Sequence, residues 1–194
     1  ATLPSYAVRP GVTFPDWPVV SSLVVKDALL AMVGSGHVLN RWSGYDPATD
    51  RVRVVLLQLY AEHGRAPTPG ALAKCAALSE TAIQPLLQDL RRRDLVVLDG
   101  DKIVGAYPFT DRDTGHRVTL DGRTLNAMCA VDALGIGAMT GHDIAIASSC
   151  RYCGAPIRIA TRDRGRALAQ VEPRTAFVWL SVRYEGACAA NSLC

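Results

Sequence analysis

The spacing of apolar residues predicts a first helix after an irregular start. Residues 1–20 contain several prolines and no sustained periodicity, so we interpret them as an extended N-terminal arm. The stretch VVSSLVVKDALLAMVGSG then predicts a helix that begins near Ser21 or Ser22 and ends at Gly34.

The pattern that follows is typical of a winged helix-turn-helix. Three stretches have helical spacing of apolar residues: RVRVVLLQLYAEHGR, TPGALAKCAAL and SETAIQPLLQDLRRRDL. Thr68 and Ser79 precede the second and third of these, where a hydroxyl can accept a free backbone N–H, so both are predicted N-caps. The Asp99-Gly100 pair then suits a tight hairpin between two short strands. We therefore interpret residues 21–106 as a helical, winged-helix-like domain.

A winged helix suggests DNA binding, and the cluster Arg91, Arg92 and Arg93 would be the phosphate contact. The arginines lie at the C-terminal end of their helix, however, rather than at the end that usually enters the major groove. The same helix has few polar side chains suited to base edges. We therefore favour a scaffolding role and expect no DNA partner.

The pattern changes near Tyr107, and residues 107–194 are interpreted as an α+β domain. HRVTLDG alternates like a strand that turns at Asp121-Gly122, and an apolar helix is predicted over 124–136. HDIAIASSC, CGAPIRIAT and TAFVWLSVRY predict three further strands, rich in β-branched residues. The predicted fold class is thus α+β: a helical winged-helix-like module, then short mixed or antiparallel strands with one active-site helix.

Composition narrows the class of protein only a little. With 194 residues, 49% hydrophobic and 20% charged, the chain is in the globular range. A net charge of +3 is too small to imply a nucleic-acid or membrane partner. The start shows no signal-peptide pattern, and no apolar run reaches the roughly 20 residues that a transmembrane helix needs. We expect a cytoplasmic protein with no membrane partner, either a monomer or a homodimer.

A thiol and a carboxyl lie three residues apart in LNAMCAVDALGIGAMTG, an otherwise apolar stretch. If the stretch is helical, Cys129 and Asp132 share one face. A free cysteine alone is often only a small core residue. An unpaired buried carboxyl is costly, and its burial raises the pKa and keeps it protonated, as a proton donor requires. The pair therefore predicts a catalytic site.

Five of the six cysteines fall in the second half of the chain. Cys150 and Cys153 in CRYCGAP have the C-x-x-C-G form of a zinc knuckle, although a structural zinc site usually needs a second ligand pair. Cys188 and Cys194 are candidates for that pair, but their spacing differs from a second knuckle. Free or reversibly oxidised thiols, a metal site and a disulfide all remain open for Cys150 and Cys153. With Cys129, a C-terminal cysteine would form a dithiolate for a soft metal ion.

These segments together resemble one known family. GHRVTLDGRTLNAMCAVDALGIGAMTG resembles the active-site segment of the organomercurial lyases (alkylmercury lyases), in which a strand, an Asp-Gly turn and a helix carry Cys-x-x-Asp. YPFT before it, SSCRYCGAPIRI and VEP after it, and NSLC at the end follow that family's order. The resemblance covers roughly residues 35–194. The family also has an N-terminal winged-helix-like region that does not bind DNA.

The resemblance implies a mechanism and residue roles. Two thiolates capture the mercury of R–Hg⁺, and an aspartic acid protonates the carbon as the C–Hg bond breaks, leaving bound Hg²⁺. Carried onto this sequence, Cys129 is the first thiolate, Asp132 the proton donor and Cys194 the second thiolate, with Cys188 in reserve. Relatives continue past the second cysteine, so we expect either a fragment or a Cys194 at a free end.

The resemblance also implies the ligands: Cys129, Asp132 and Cys194 would bind the metal, with Cys150, Cys153 and Cys188 as secondary candidates. The substrate is a small organomercurial and the product Hg(II) passes to a thiol or a mercuric-reductase-type acceptor, in mercury detoxification, with no cofactor required. Relatives usually have one cysteine in the segment that contains Cys150 and Cys153. The additional thiol suggests an added zinc or copper site. Three alternatives remain: a non-catalytic zinc, copper or mercury binder or sensor, a relative with different chemistry, and a DNA-binding regulator.

Overall fold

The structure, a computed structural model, describes residues 6–11, 20–33, 44 and 46–179. Cys188, Cys194 and the end of the predicted TAFVWLSVRY strand lie outside the described residues. The helices are α1 (Leu23–Val33), α2 (Pro47–His63), α3 (Pro69–Cys75), α4 (Glu80–Arg92) and α5 (Ala130–Thr140). The strands are β1 (Val96–Asp99), β2 (Lys102–Ala106), β3 (Phe109–Thr110), β4 (Arg117–Leu120), β5 (Arg123–Ala127), β6 (Ile144–Ser149), β7 (Pro156–Arg162) and β8 (Ala167–Glu172). The predicted α+β class is confirmed.

Side-chain caps fix where the helices begin. Asp46 accepts the backbone N–H groups of Ala48 and Thr49 at the start of α2. Thr68 and Ser79 cap α3 and α4 as predicted, accepting from the third residue after each. These bonds satisfy backbone N–H groups that have no partner inside a helix. No helix in the described part of the chain is long and apolar enough to cross a membrane.

Eight strands form one antiparallel sheet in the order β1-β2-β3-β5-β4-β6-β7-β8. The hairpin predicted at Asp99-Gly100 joins β1 and β2. β2 pairs with β3, so hydrogen bonding continues across residue 106, where the sequence suggested a domain boundary. The order of three helices and a hairpin matches the expectation, while a winged-helix identity and the division of the chain into domains stay predictions.

Helices and sheet share one core. Tyr60 of α2 is buried and stacks on Phe109 of β3, with ring centroids 5.4 Å apart. Its hydroxyl donates to Oδ1 of Asp111, 3.1 Å away, and the same oxygen accepts the N–H of Ala66 at 2.9 Å. The position of the helices is thus coupled to the strands that lead toward α5.

The arm predicted at the N-terminus packs tightly where it is described. Tyr6 and Val8 are buried, and the Ala7 N–H donates to the Thr140 carbonyl at the end of α5, 3.0 Å away. The Gly11 N–H donates to Oδ2 of Asp50 in α2 at 2.6 Å. This segment therefore connects α2 to α5. By contrast, α1 exposes apolar side chains.

Two sequence predictions in the second half are wrong where the structure describes them. The helix predicted over 124–136 begins only at Ala130, because residues 123–127 form β5 and pair with β4 around a turn in which Asp121 and Gly122 both have positive φ. The last described strand is β8, whereas residues 175–179 of the predicted TAFVWLSVRY strand are irregular. β7 turns back at residues 163–166 to pair with β8 instead.

Candidate active site at the start of helix α5

Cys129 lies at the junction between strand β5 and helix α5. The preceding Met128 is buried, and its N–H donates to the Pro108 carbonyl at 3.0 Å, which anchors the junction to the loop before β3. Cys129 keeps extended backbone angles (φ −149°, ψ 179°) and is the N-cap of α5. Cys129 therefore lies just before the helix. The sequence had suggested a position within the helix.

The cap itself is the thiol. Sγ of Cys129 accepts the backbone N–H of Asp132 across 3.4 Å, in the place where a serine or threonine hydroxyl is usual. The N-terminus of a helix favours negative charge, because unpaired N–H groups and the helix dipole point toward it. A thiolate at Cys129 is therefore well placed, and this side chain also borders a cleft.

Asp132 lies in the first turn of α5, with its side chain turned inward. Its Oδ2 atom is fully buried and has no hydrogen-bond partner among the described residues. Burial, and secondarily the adjacent Cys129 thiolate, raises the pKa of the Asp132 carboxyl to about 9. The group is thus protonated at neutral pH and can donate a proton. It does not border the cleft among the described residues but lies beside Cys129, which does.

The cleft beside Cys129 has a volume of about 1580 Å³. Val104 and Ile146 of the sheet and Leu134 of α5 provide apolar lining. The lining also includes residues of β8 and the following residues up to Trp179, which is 80% exposed. A cleft with apolar lining and a thiol suits a small organic group attached to a soft metal.

One polar wall of the cleft was missed by the sequence analysis. His116 hydrogen-bonds through Nδ1 to the Ser148 hydroxyl, and Arg151 lines the same wall. Burial, with a smaller effect of the Arg151 charge, lowers the pKa of His116. The contact depends on β4 pairing with β6, with Arg117 opposite Ala147. β5 and α5 separate these strands in the chain, so no local signal marks the pair.

Cys150 and Cys153 line this cleft together with Cys129. They flank a tight turn in which the Gly154 N–H donates to the Cys150 carbonyl at 2.9 Å, and Gly154 has φ +71°. Backbone hydrogen bonding, first from Cys153, lowers the pKa of the Cys150 thiol, and the Cys153 side chain adds to the effect. Both cysteines are free thiols, as is Cys75, an exposed residue of α3 outside the cleft lining.

The structure thus brings together four of the six proposed site residues. Cys129 and Asp132 are in contact, and Cys150 and Cys153 share their cleft. Within the described ranges, no group of three or more His, Cys, Asp or Glu side chains is arranged to hold a metal ion. The proposed roles of Cys194 and Cys188, the zinc or copper expected at Cys150 and Cys153, and the lack of a required cofactor stay predictions.

The comparisons with known proteins agree on one family. The family model described as MerB, alkylmercury lyase, matches residues 109–194. An alkylmercury lyase of Staphylococcus epidermidis is 32% identical over 140 residues, which are 72% of this chain and 62% of that protein. Alkylmercury lyases of Bacillus cereus and Clostridium butyricum are each 32% identical over 123 residues, or 63% of this chain and 54% of each relative.

A solved structure gives the same assignment. The crystal structure of the mercury-bound form of MerB2 superposes with a TM-score of 0.60 at 25% identity, covering 75% of this chain and 69% of that one. This chain is therefore similar in sequence and in fold to the alkylmercury lyases. It spans less than two thirds of the length of the three curated relatives.

Proposed function

We propose that this chain acts as an organomercurial lyase, which cleaves a C–Hg bond by protonolysis to a hydrocarbon and Hg²⁺. The observation that carries the proposal is the Cys129–Asp132 pair: a thiol at a helix N-terminus, 3.4 Å from the N–H of a residue whose carboxyl is buried and protonated. The similarity of this chain to the alkylmercury lyases supports it.

The first step is capture. The Cys129 thiolate forms an S–Hg bond to R–Hg⁺, and the exchangeable ligand on mercury leaves. Soft sulfur suits soft mercury, and the helix N-terminus stabilises the anion until the metal arrives. The family resemblance assigns a second thiolate to Cys194, with Cys188 in reserve. Two sulfur donors raise electron density on mercury and weaken its bond to carbon.

The second step is proton transfer. The Asp132 carboxyl gives its proton to the carbon, the electron pair of the C–Hg bond forms the C–H bond, and Hg²⁺ stays on the thiolates. No atom is oxidised or reduced. Asp132 is left as a buried carboxylate, which is unfavourable in that position and recovers a proton from solvent. Other parts of the proposal are the lack of a cofactor, a cytoplasmic location and delivery of Hg²⁺ to a thiol or mercuric-reductase-type acceptor.

Detection of hydrocarbon in the headspace tests the proposal. Reduced protein with phenylmercury and excess thiol should release benzene, whereas Cys129→Ser should release none. Cys75→Ser removes an exposed thiol outside the cleft and should retain the wild-type rate. Equal benzene from wild type and Cys129→Ser would contradict the mechanism.

The pair Cys150 and Cys153 in the same cleft favours one second candidate, a mercury-binding or mercury-sensing protein without turnover. Stoichiometric mercury uptake that survives dialysis, with no benzene release, would support this candidate instead.

A further inference from the structure

The cleft contains a second thiol site that the protonolysis mechanism does not use. Cys150 and Cys153 both line it, on the turn between β6 and β7, while Cys129 lines it from the start of α5. A path between the two sites therefore does not leave the cleft. Cys153 is exposed, whereas Cys129 and Cys150 are each partly exposed.

The number of ligands at Cys150 and Cys153 favours Hg²⁺ over zinc. Structural zinc in proteins is held by four ligands in a tetrahedron. The described residues provide only two at this turn, since no cluster of three or more ligating side chains is found among them. Hg²⁺ is satisfied by two thiolates in a linear arrangement, and two cysteines separated by two residues can supply them. The turn places the two cysteines close together, because the Gly154 N–H returns to the Cys150 carbonyl and a positive φ at Gly154 closes it.

We propose that Cys150 and Cys153 form an exit site that takes the product Hg²⁺ from Cys129 and presents it to solvent thiols. This inference rests on the proposed lyase function. The transfer is a ligand exchange: two Hg–S bonds form at Cys150 and Cys153 as those at Cys129 and its partner thiolate break. The two incoming thiols lose their protons to solvent, the two released thiolates regain protons, and mercury stays Hg²⁺. Cys129 is then free for another substrate.

The test counts turnovers without any external thiol. One equivalent of phenylmercury is added to the full chain, benzene is measured, and a second equivalent follows. We expect wild type and Cys75→Ser to release two equivalents of benzene per chain. The double variant Cys150→Ser/Cys153→Ser should release one, a twofold loss. A single equivalent from wild type, or two equivalents from the double variant, would overturn the exit site.

A second measurement does not depend on turnover. One equivalent of HgCl₂ is added, free thiols are alkylated with iodoacetamide, and each cysteine peptide is quantified by mass spectrometry. We expect Cys150 and Cys153 to be protected while Cys129 and Cys75 are alkylated. Protection of Cys129 with full alkylation of Cys150 and Cys153 would overturn the proposal. Protection of the pair without any benzene release would keep the mercury site but contradict the lyase function.

Discussion

Sγ of Cys129 accepts the backbone N–H of Asp132, so the thiol caps the helix whose first turn carries the buried carboxyl. One hydrogen bond therefore sets the distance between the proposed nucleophile and the proposed acid. A mercury ion bound to this sulfur would therefore lie near the carboxyl in the first turn of the same helix. The two groups need no separate loop to meet, so a short Cys-x-x-Asp sequence is enough to bring a thiol and an acid together.

Substitution of the capping thiol should separate its structural and chemical roles. Cys129→Ser keeps an N-cap acceptor, so we expect an unchanged or higher free energy of unfolding, with no C–Hg cleavage because a hydroxyl is a poor ligand for mercury. Cys129→Ala removes the acceptor as well and should be less stable than the serine variant by about 1 kcal/mol. Urea denaturation and headspace benzene give the two readouts. An active serine variant would exclude sulfur capture at this position.

Asp132→Asn should keep mercury capture and lose hydrocarbon release. An amide matches the shape of the carboxylic acid but has no comparably acidic proton to give to carbon. Retention of ¹⁹⁹Hg-labelled phenylmercury on the protein measures capture, and benzene in the headspace measures hydrocarbon release. A second variant, Asp132→Ala, should likewise capture mercury and release no hydrocarbon. Wild-type turnover in either would exclude the proton-donor role.

The same residue predicts a pH dependence of stability. Its folded-state pKa of about 9 lies above the ordinary value of 3.8, so the folded chain holds this proton more tightly than the unfolded chain. The stabilisation from this difference is complete below about pH 4 and is lost progressively as the pH rises toward 9. We therefore expect the stability of Asp132→Asn, relative to wild type, to increase across that interval. Unfolding curves at pH 5, 7 and 9 measure the difference, and a pH-independent difference would contradict the raised pKa.

Local sequence signals located the thiol and the acid but did not predict the strands around them. Cys-x-x-Asp and the Asp121-Gly122 turn are encoded by neighbouring residues, and the chain could be searched for them directly. The strand before Cys129 was mistaken for helix, because its structure comes from pairing with β4 and β3 rather than from its own pattern. β8 was missed because the alanine-rich ALAQVE has low strand propensity and forms only by pairing with β7.

Gly165 should be sensitive to any side chain. A Cβ there would overlap the backbone at Gly137, where the turn after β7 packs on α5, and its φ of +76° is already unfavourable for other residues. We expect Gly165→Ala to cost about 3 kcal/mol in free energy of unfolding and to slow benzene release, because α5 must shift. Gly135→Ala, on the exposed side of α5 with no atom near its Cβ position, is the matched control. It should stabilise by about 0.5–1 kcal/mol. If Gly165→Ala and Gly135→Ala changed the free energy of unfolding equally, the close contact between Gly165 and Gly137 would be excluded.

The arginines that suggested DNA binding are largely occupied within their own helix. Arg92 and Arg93 each lie 2.9 Å from a different carboxylate oxygen of Asp89. One carboxylate thus offsets part of the positive charge that would contact phosphate. We expect Arg91→Ala/Arg92→Ala/Arg93→Ala to retain wild-type benzene release, with a stability loss of about 1 kcal/mol or less, because partly exposed ion pairs contribute little. Fluorescence anisotropy with duplex DNA at about 50 and 200 mM salt should show no binding by wild type. A salt-sensitive affinity that the triple variant abolishes would instead establish the helix as a DNA contact.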